Sequence, residues 1–174
     1  VGLAAVMAAR IAGCREIIAV DLKQQRVDLA MELGATAGIV SRGIDLKGAL
    51  KKFGPLNSAV DCTGAIPVIE AAFHSLGSRG QIICAGVSPE GRSLSINPRE
   101  LVFGGRSLRG TVEGDANPRE FIPEMIEYFR GGHLPLERIV RTYPFVEINQ
   151  ALADLSSGAA IKPVLVMPAD QKEG

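Results

Sequence analysis

The chain has 174 residues, 47% hydrophobic and 22% charged, which is typical of one soluble globular domain or of a domain with a short appendage. Nineteen basic residues balance nineteen acidic residues, so no basic surface is available to neutralise a nucleic acid backbone. No apolar run approaches the ~20 residues that a membrane helix needs, and no signal-peptide pattern is visible. We therefore expect partners other than nucleic acid or membranes.

Helical spacing of apolar residues alternates with short, continuous apolar runs along most of the chain. The pattern predicts helices from the first residue to Gly13, from about Lys23 to Gly34, and at 45–53, 66–76, 97 onward, 117–129 and 147–155. It predicts strands at 17–20, 38–40, 58–62, 81–85, 107–112, 138–143 and 163–167. Apolar strands without hairpin signals favour a parallel sheet with helices on both faces and right-handed crossovers. The polar residues after Pro168 are expected to fray.

Two of the predicted helices begin with the same four residues, Asn-Pro-Arg-Glu, at 97–100 and 117–120. In each case the asparagine side chain can accept a free backbone N–H, and the proline occupies the first helical position, where a missing N–H costs little. The glutamate then lies near the positive end of the helix dipole. Both tetrapeptides therefore predict helix N-termini.

Asp21 ends the apolar run Ile17–Val20, so it is expected at the tip of a parallel strand. A carboxylate there can accept hydrogen bonds from both hydroxyls of an adenosine ribose, and it repels the 2′-phosphate of NADP, so the residue favours NAD. Its alternative role is to cap the helix that begins near Lys23, and both roles can hold together. The glycine turn that precedes such a strand is nearly absent, because the chain opens with Val1 and Gly2.

A second predicted strand end carries a small polar turn. Cys62, Thr63 and Gly64 end the strand after the point where the order of an open α/β sheet reverses, which is where such sheets bind ligands. We expect them to line a cofactor groove, and an ordinary strand-to-helix turn is the alternative. Asp61, just before them, is expected to be a hydrogen-bonded structural acid.

Cysteines and histidines do not form a metal-binding pattern in this sequence. Cys14, Cys62 and Cys84 contain no CxxC pair, and we expect reduced thiols with packing roles in a cytoplasmic protein. Only His74 and His133 could join them, which falls short of the clustered ligands of a zinc site. The sequence therefore assigns no metal ligand and no catalytic residue to this chain.

Several strings along nearly the whole chain resemble, in order and spacing, those of the medium-chain, zinc-dependent alcohol dehydrogenases. They are VGLAAVMAA at 1–9, IAVD at 18–21, ELGAT at 32–36, VDCTG at 60–64, GQII at 80–83 with Gly86, GHLP at 132–135 and AIKPV at 160–164. The string GTVEGD at 110–115 most resembles the aryl- or benzyl-alcohol dehydrogenase branch.

The resemblance implies a Rossmann-like, doubly wound parallel sheet. Residues 1–112 would form the NAD-binding part, without the first strand of the sheet and most of the phosphate-binding turn. Residues 113–174 would return toward a catalytic domain. In this family the ligands of the catalytic zinc lie in an N-terminal half that the chain lacks, so zinc is expected only there and NAD is the cofactor expected here.

The resemblance also assigns cofactor contacts to residues from each part of the chain. Gly2 resembles the last glycine of the phosphate turn, and Arg26 resembles a basic residue beside the adenosine. On the nicotinamide side, the resemblance assigns contacts to Ala85, Gly86 and Val87, and it assigns the backbone partners of the carboxamide to Thr111 and Val112. Lys162 resembles a late basic residue near the pyrophosphate. Gly2, Arg26 and Lys162 have plain alternatives, namely an incidental glycine at position 2 and a solvated charge at 26 and 162.

The expected function is the cofactor-binding part of an NAD-dependent alcohol dehydrogenase, inactive by itself, in an enzyme whose zinc polarises the alcohol and whose nicotinamide takes the hydride. The alternatives are a non-catalytic or truncated nucleotide-binding module, a zinc-independent NADP reductase of the same superfamily, and a methyltransferase. Expected partners are the nicotinamide cofactor and a small alcohol or aldehyde. A homodimer or homotetramer is also expected, since 107–112 would leave an open sheet edge.

Overall fold

The structure, a computed structural model, describes residues 1–168. Its helices are α1 (Gly2–Ile11), α2 (Gln24–Glu32), α3 (Leu46–Leu50), α4 (Ile66–Ser75), α5 (Pro98–Gly104), α6 (Pro118–Arg130) and α7 (Ile148–Ser157). Its strands are β1 (Ile18–Asp21), β2 (Ala37–Val40), β3 (Leu56–Asp61), β4 (Leu76–Cys84), β5 (Ser107–Gly110), β6 (Val140–Pro144) and β7 (Lys162–Val166). None of the helices in this part of the chain is long and apolar enough to cross a membrane.

Every strand pair within residues 1–168 is parallel, as predicted. β1 pairs with β2, with Asp21 opposite Val40. β4 lies between β3 and β5, with Asp61 opposite Cys84 and Cys84 opposite Gly110. β6 pairs with β7 in a separate two-stranded ladder. The carboxyl ends of paired strands are therefore level, so the turns that follow them are neighbours.

The ladders β1–β2 and β3–β4–β5 are not hydrogen-bonded to each other. Helix α1 contacts both of them: Leu3 and Val6 pack against the apolar cluster around β1, and Gly2 lies beside Cys62 after β3. A break between β1 and β3 is what the sequence predicts for a Rossmann-like sheet without its first strand. The predicted α/β fold class is confirmed.

Each ladder has its own apolar core. Ile17, Ala19, Ala30 and Ala35 are buried between β1 and α2, under the apolar side of α1. The larger cluster joins α4 to β4 through Ile69, Phe73, Leu76 and Ile82, whose exposed fractions are 2% or less. Full burial of side chains of this size stabilises a fold by about 1.5–3 kcal/mol each. The apolar cluster of the β3–β4–β5 ladder therefore contributes more to stability than the cluster around β1.

The chain forms two compact units, Val1–Pro123 and a second unit that begins at Glu124. The first contains β1 to β5, and the second contains β6, β7 and α7 around a small cluster of Tyr143, Ala151 and Ala160. The division predicted from the sequence, after residue 112, remains a prediction about cofactor and catalytic parts. The polar end that is expected to fray lies outside the described residues.

Both predicted Asn-Pro-Arg-Glu helix starts are confirmed. Asn97 Oδ1 accepts the N–H of Arg99 at 2.9 Å at the start of α5, and Asn117 Oδ1 accepts the N–H of Arg119 at 3.2 Å at the start of α6. These bonds satisfy backbone donors that have no partner inside the helix.

Two strand boundaries differ from those predicted. β4 begins at Leu76, directly after α4 and five residues earlier than the apolar run, because Leu56 and Leu76 already pair across the ladder. β5 stops at Gly110 instead of continuing to 112. Positive φ angles at Glu113 (51°), Gly114 (73°) and Asp115 (53°) form a left-handed turn there.

Candidate functional site

The first unit brings most of the predicted site residues to the carboxyl ends of its strands. Asp21 is the last residue of β1, Cys62 follows β3, and Ala85 follows β4. In an open parallel sheet, this edge is where ligands bind, because the loops there leave a crevice and the following helices point their N-termini at it. We call this edge, with the turns 62–64 and 85–87, the strand-end site.

Asp21 is held at the tip of β1 by its own backbone. Its carbonyl oxygen accepts the N–H of Ser41 at 2.9 Å, which continues the ladder beyond β2. Its carboxylate Oδ1 accepts the N–H of Lys23 at 2.9 Å, just before α2 begins at Gln24. The side chain is half-buried. The capping role expected for Asp21 therefore takes the form of a turn before the helix, and its carboxylate lies beside the N-terminus of α2.

Asp61, at the matching end of β3, is 4% exposed and carries a dense set of hydrogen bonds. Oδ1 accepts the N–H of Thr63 at 3.1 Å and its hydroxyl at 2.6 Å, and Oδ2 accepts the N–H of Gly64 at 2.9 Å. The predicted structural role of Asp61 is confirmed. Three donors to one buried carboxylate fix the turn 62–64 in a single shape.

Gly64 and Gly86 pass each other closely where the two turns meet. Gly64 has φ = 68°, a conformation that residues with a Cβ rarely adopt, and a Cβ there would collide with the backbone of Val87. A Cβ on Gly86 would collide with the backbone N atoms of Thr63 and Gly64. Both glycines were predicted from the sequence to contact a ligand. The structure shows that contacts within the chain already require glycine at both positions.

Gly2 and Arg26 lie on the helices that flank β1. Gly2 is the first residue of α1, and a Cβ there would be 3.9 Å from Cβ of Cys62, an ordinary contact. The predicted place of Gly2 in the phosphate-binding turn remains a prediction. Arg26 lies in the first turn of α2 and is half-buried.

Thr111 and Val112 follow β5, outside the strand in which they were predicted. The N–H of Thr111 is bound to the carbonyl of Cys84 at 3.1 Å, and its hydroxyl donates to Asp115 Oδ2 at 3.0 Å. Val112 is 78% exposed, and its carbonyl accepts the N–H of Asp115 at 3.0 Å. These bonds order the turn that leaves the edge of the sheet.

Lys162 belongs to the second unit, where it is the first residue of β7 and pairs with Val140. Its N–H donates to the carbonyl of Ile139 at 3.1 Å, and its side chain is exposed. Its predicted contact with a cofactor remains a prediction.

The two thiols at the strand-end site are weak acids. Burial raises the pKa of Cys62, and the Asp61 charge raises it further. Burial and the Asp61 charge likewise raise the pKa of Cys84. Both side chains are therefore neutral at physiological pH, as expected for packing roles. Cys14, the third free cysteine, is exposed.

His74 has a structural partner that the sequence did not reveal. Its Nδ1 is 3.1 Å from Glu100 Oε1, and the same carboxylate oxygen is 3.1 Å from Arg106 Nη1. The cluster ties α4 to α5 across 26 residues of chain, a separation over which no local pattern predicts contacts. Among residues 1–168, no three His, Cys, Asp or Glu side chains are grouped in a way that could hold a metal ion.

The sequence pattern of one protein family, described as "Zinc-binding dehydrogenase", matches residues 1–130, which include β1 to β5 and all of the strand-end site. The chain belongs to the zinc-binding dehydrogenase family. The family predicted from the resemblance is therefore confirmed, and the matched residues correspond to the cofactor-binding part of zinc-type alcohol dehydrogenases.

Relatives support the same assignment. The geraniol dehydrogenase of Castellaniella defragrans is 34% identical over 95% of this chain and 45% of its own length. A solved alcohol dehydrogenase zinc-binding domain protein from Burkholderia ambifaria is 41% identical, with a TM-score of 0.91 over 96% of this chain and 46% of its own. The benzyl alcohol dehydrogenase of Acinetobacter calcoaceticus is 36% identical, with the same TM-score over 96% and 47%. The chain thus spans about half the length of the relatives it matches.

Proposed function

We propose that the first unit binds a nicotinamide adenine dinucleotide at the strand-end site, as part of an NAD-dependent alcohol dehydrogenase. The observation that carries this proposal is the position of Asp21 at the carboxyl end of β1, level with the turn after β2 and beside the start of α2. An adenosine ribose bound at this edge would meet the carboxylate with its two hydroxyls. The interlocked turns at Gly64 and Gly86 present backbone on the same edge of the neighbouring ladder.

The preference for NAD follows from charge. The Asp21 carboxylate attracts hydroxyl donors and repels the additional phosphate of NADP. Arg26, one turn into α2, is proposed to lie beside the adenosine without reversing that preference. The first turn of α1 at Gly2 would face the pyrophosphate, because a helix N-terminus offers free N–H donors and a positive dipole end.

The remaining contacts belong to the nicotinamide half of the cofactor. We propose that the turns 62–64 and 85–87 line its groove, that backbone groups of Thr111 and Val112 meet the carboxamide, and that Lys162 approaches the pyrophosphate. When bound, the nicotinamide supplies the hydride acceptor, and the chain's own residues bind and orient it. Membership in the dehydrogenase family disfavours the methyltransferase alternative.

The proposed reaction converts an alcohol to an aldehyde or ketone, with zinc held outside this chain. The relatives named as geraniol and benzyl alcohol dehydrogenases support a primary, unsaturated or aromatic alcohol as the substrate class. Because the 174 residues contain no grouping of metal ligands within positions 1–168, we expect them alone not to oxidise benzyl alcohol with NAD. Turnover at the rate of the full-length enzyme would contradict this expectation. Three free cysteines fit a cytoplasmic location.

Cofactor preference tests the proposal most directly. In the full-length protein that carries this chain, Asp21→Asn removes the charge and keeps the shape, so the preference for NAD over NADP should fall by about tenfold or more. Asp28→Asn is the matched control, because Asp28 is an exposed α2 carboxylate that bonds only locally to Gln24. Calorimetric titration with both cofactors measures the ratio of the affinities for NAD and NADP. An unchanged ratio in Asp21→Asn would remove Asp21 from this role.

Self-association is proposed at the β5 edge. Within the described residues, β5 pairs only with β4, and Leu108 on it is 36% exposed. Val102 and Phe103 on the preceding α5 are also apolar and are 76% and 74% exposed. A second copy could continue the sheet there. Analytical ultracentrifugation should find a dimer or tetramer, and Leu108→Pro should shift it toward monomer, whereas a monomeric wild type would contradict the proposal.

A further inference from the structure

Asp61 connects the two turns of the strand-end site through both of its polar groups. Its carboxylate binds the turn that follows β3, at Thr63 and Gly64. Its carbonyl oxygen accepts the N–H of Ala85 at 2.8 Å and of Gly86 at 3.0 Å, in the turn that follows β4. One residue, 4% exposed, therefore determines the relative position of both turns.

The same network reaches the start of helix α4. The Thr63 hydroxyl donates to Asp61 and accepts the N–H of Ala65 at 3.0 Å. Ala65 is the N-cap residue of α4 and has no side chain that could satisfy a donor there. Asp61 is negatively charged, and a negative charge near the positive N-terminal end of a helix is stabilising. The carboxylate thus orders the helix start through one intervening hydroxyl.

We infer that Asp61 is a positioning residue for the nicotinamide side of the cofactor. It would hold the backbone of Gly64 and Gly86 at the separation that leaves the groove open, without touching the cofactor itself. The inference rests on the proposed function, since it assigns a role in the same site. This indirect role of Asp61 differs from the role proposed for Asp21, which would contact the adenosine ribose directly.

Asparagine cannot replace this carboxylate, although it has the same shape. With its oxygen toward Thr63, the amide nitrogen would face the N–H of Gly64, which now lies 2.9 Å from Oδ2. In the flipped orientation, the amide nitrogen would face the N–H of Thr63, which lies 3.1 Å from Oδ1. Either way, one backbone donor meets another donor in a buried place, which is unfavourable.

The test compares two ligands in the full-length protein. Asp61→Asn should weaken NAD binding by about tenfold, because a hydrogen bond to a charged group is lost, and leave AMP binding unchanged. AMP carries the adenosine part alone, so it reports on the β1 side of the site. Asp28→Asn should change neither constant. Calorimetry or ligand-observed NMR at high AMP concentration gives both values.

Amide hydrogen exchange gives the second measurement. In Asp61→Asn, the amides of Thr63, Gly64 and Gly86 should exchange faster, whereas those of α2 around Val27 should keep their rates. NAD affinity that is unchanged or tighter in this variant would overturn the inference alone. Equal losses for NAD and AMP, or unchanged exchange at Gly64, would also overturn it, since they indicate general damage or no control of the turn. If the unsubstituted protein failed to bind NAD, the proposed function would fail and the inference with it.

Discussion

Two aspartates occupy equivalent places in the first unit, each as the last residue of a parallel strand, and they differ in what surrounds them. Asp61 is 4% exposed, and three donors of the following turn bind its carboxylate. Asp21 is half-buried, and one backbone N–H binds its Oδ1. The first environment makes the carboxylate part of the scaffold. The second leaves it half-buried at the edge where the adenosine ribose is proposed to bind.

The difference shows how one fold separates rigidity from binding. The β3 end must hold two turns in close contact, so its acid is buried with all of its partners inside the chain. Under the proposed function the β1 end recognises a ligand, and the hydrogen bond from the N–H of Lys23 orients the carboxylate of its acid. Substitutions at the two ends should therefore affect different measurements.

Gly64→Ala should cause the largest loss, at the rigid end. The substitution meets both an unfavourable φ of 68° and a collision with the backbone of Val87. Gly43→Ala is the matched control, because Gly43 has φ = 72° with no atom within 4 Å of the new Cβ. We expect about 1 kcal/mol of destabilisation at Gly43 and about 3 kcal/mol at Gly64, measured by urea unfolding followed by circular dichroism. Equal losses would show that the two turns do not need their close contact.

The same substitution at both aspartates compares the two ends directly. Asp61→Asn should reduce the free energy of unfolding by about 2 kcal/mol, because a buried N–H loses its charged partner. Asp21→Asn should cost less than about 0.5 kcal/mol, because the hydrogen bond from the N–H of Lys23 can still form with the amide oxygen and the site is half-exposed. Urea titration of both variants measures the two changes in the free energy of unfolding. A larger loss at Asp21 would reverse the assignment of scaffold and binding roles.

Thiol reactivity reports on the Asp61 charge without unfolding the protein. Burial and this charge raise the pKa values of Cys62 and Cys84, so both should react with iodoacetamide more slowly than exposed Cys14 at about pH 8. Asp61→Asn should speed the reaction of Cys84, since one cause of its raised pKa is removed. Asp21→Asn should leave all three rates unchanged. Peptide mass spectrometry of the labelled protein distinguishes the cysteines, and equal acceleration in both variants would indicate general opening.

Sequence reasoning reached the elements and the family but not the internal geometry of the site. Apolar runs predicted the parallel strands because they reflect burial on both faces of a sheet, and Asp21 could be found because it directly follows such a run. The interlocking of Gly64 with Gly86 could not be predicted, because these residues are 22 positions apart in the numbering and meet only through the register of β3 on β4.

The errors at element ends have a similar origin. The extension of β4 back to Leu76 depends on its pairing with Leu56, and the early end of β5 depends on three successive positive φ angles at 113–115. Only the middle one of those three residues is a glycine, so the local sequence gives little sign of the turn. Pairing partners and backbone angles of this kind are settled by tertiary contacts, which single-sequence patterns do not contain.

A third aspartate, Asp154 in the second unit, is bound by side chains. Loss of one of its hydrogen bonds should change stability less than the substitutions above. The Tyr143 hydroxyl donates to Asp154 Oδ2 at 2.7 Å, Gln150 donates to Oδ1 at 2.7 Å, and Arg141 lies 3.3 Å from Oδ2. The hydrogen bonds from Tyr143 and Gln150 lower the pKa of Asp154, and the Arg141 charge adds to them. A carboxyl whose pKa is lower in the folded state stabilises the fold above its unfolded pKa, and this contribution is lost as pH falls through the folded pKa.

Tyr143→Phe removes the largest cause of that shift. The difference in unfolding free energy between wild type and variant should be greatest near about pH 7. It should already be smaller at about pH 3, which is below the ordinary aspartate pKa of about 3.9, and it should vanish as pH falls through the lower pKa of the folded state. Tyr128→Phe is the control, because its hydroxyl donates at 2.6 Å to Glu124 on the exposed side of α6 and should matter little at either pH. Urea midpoints at both pH values measure the effect. A difference for Tyr143→Phe that did not change with pH would mean that the hydroxyl contributes through packing, and that Asp154, unlike Asp61, is not held by its hydrogen bonds.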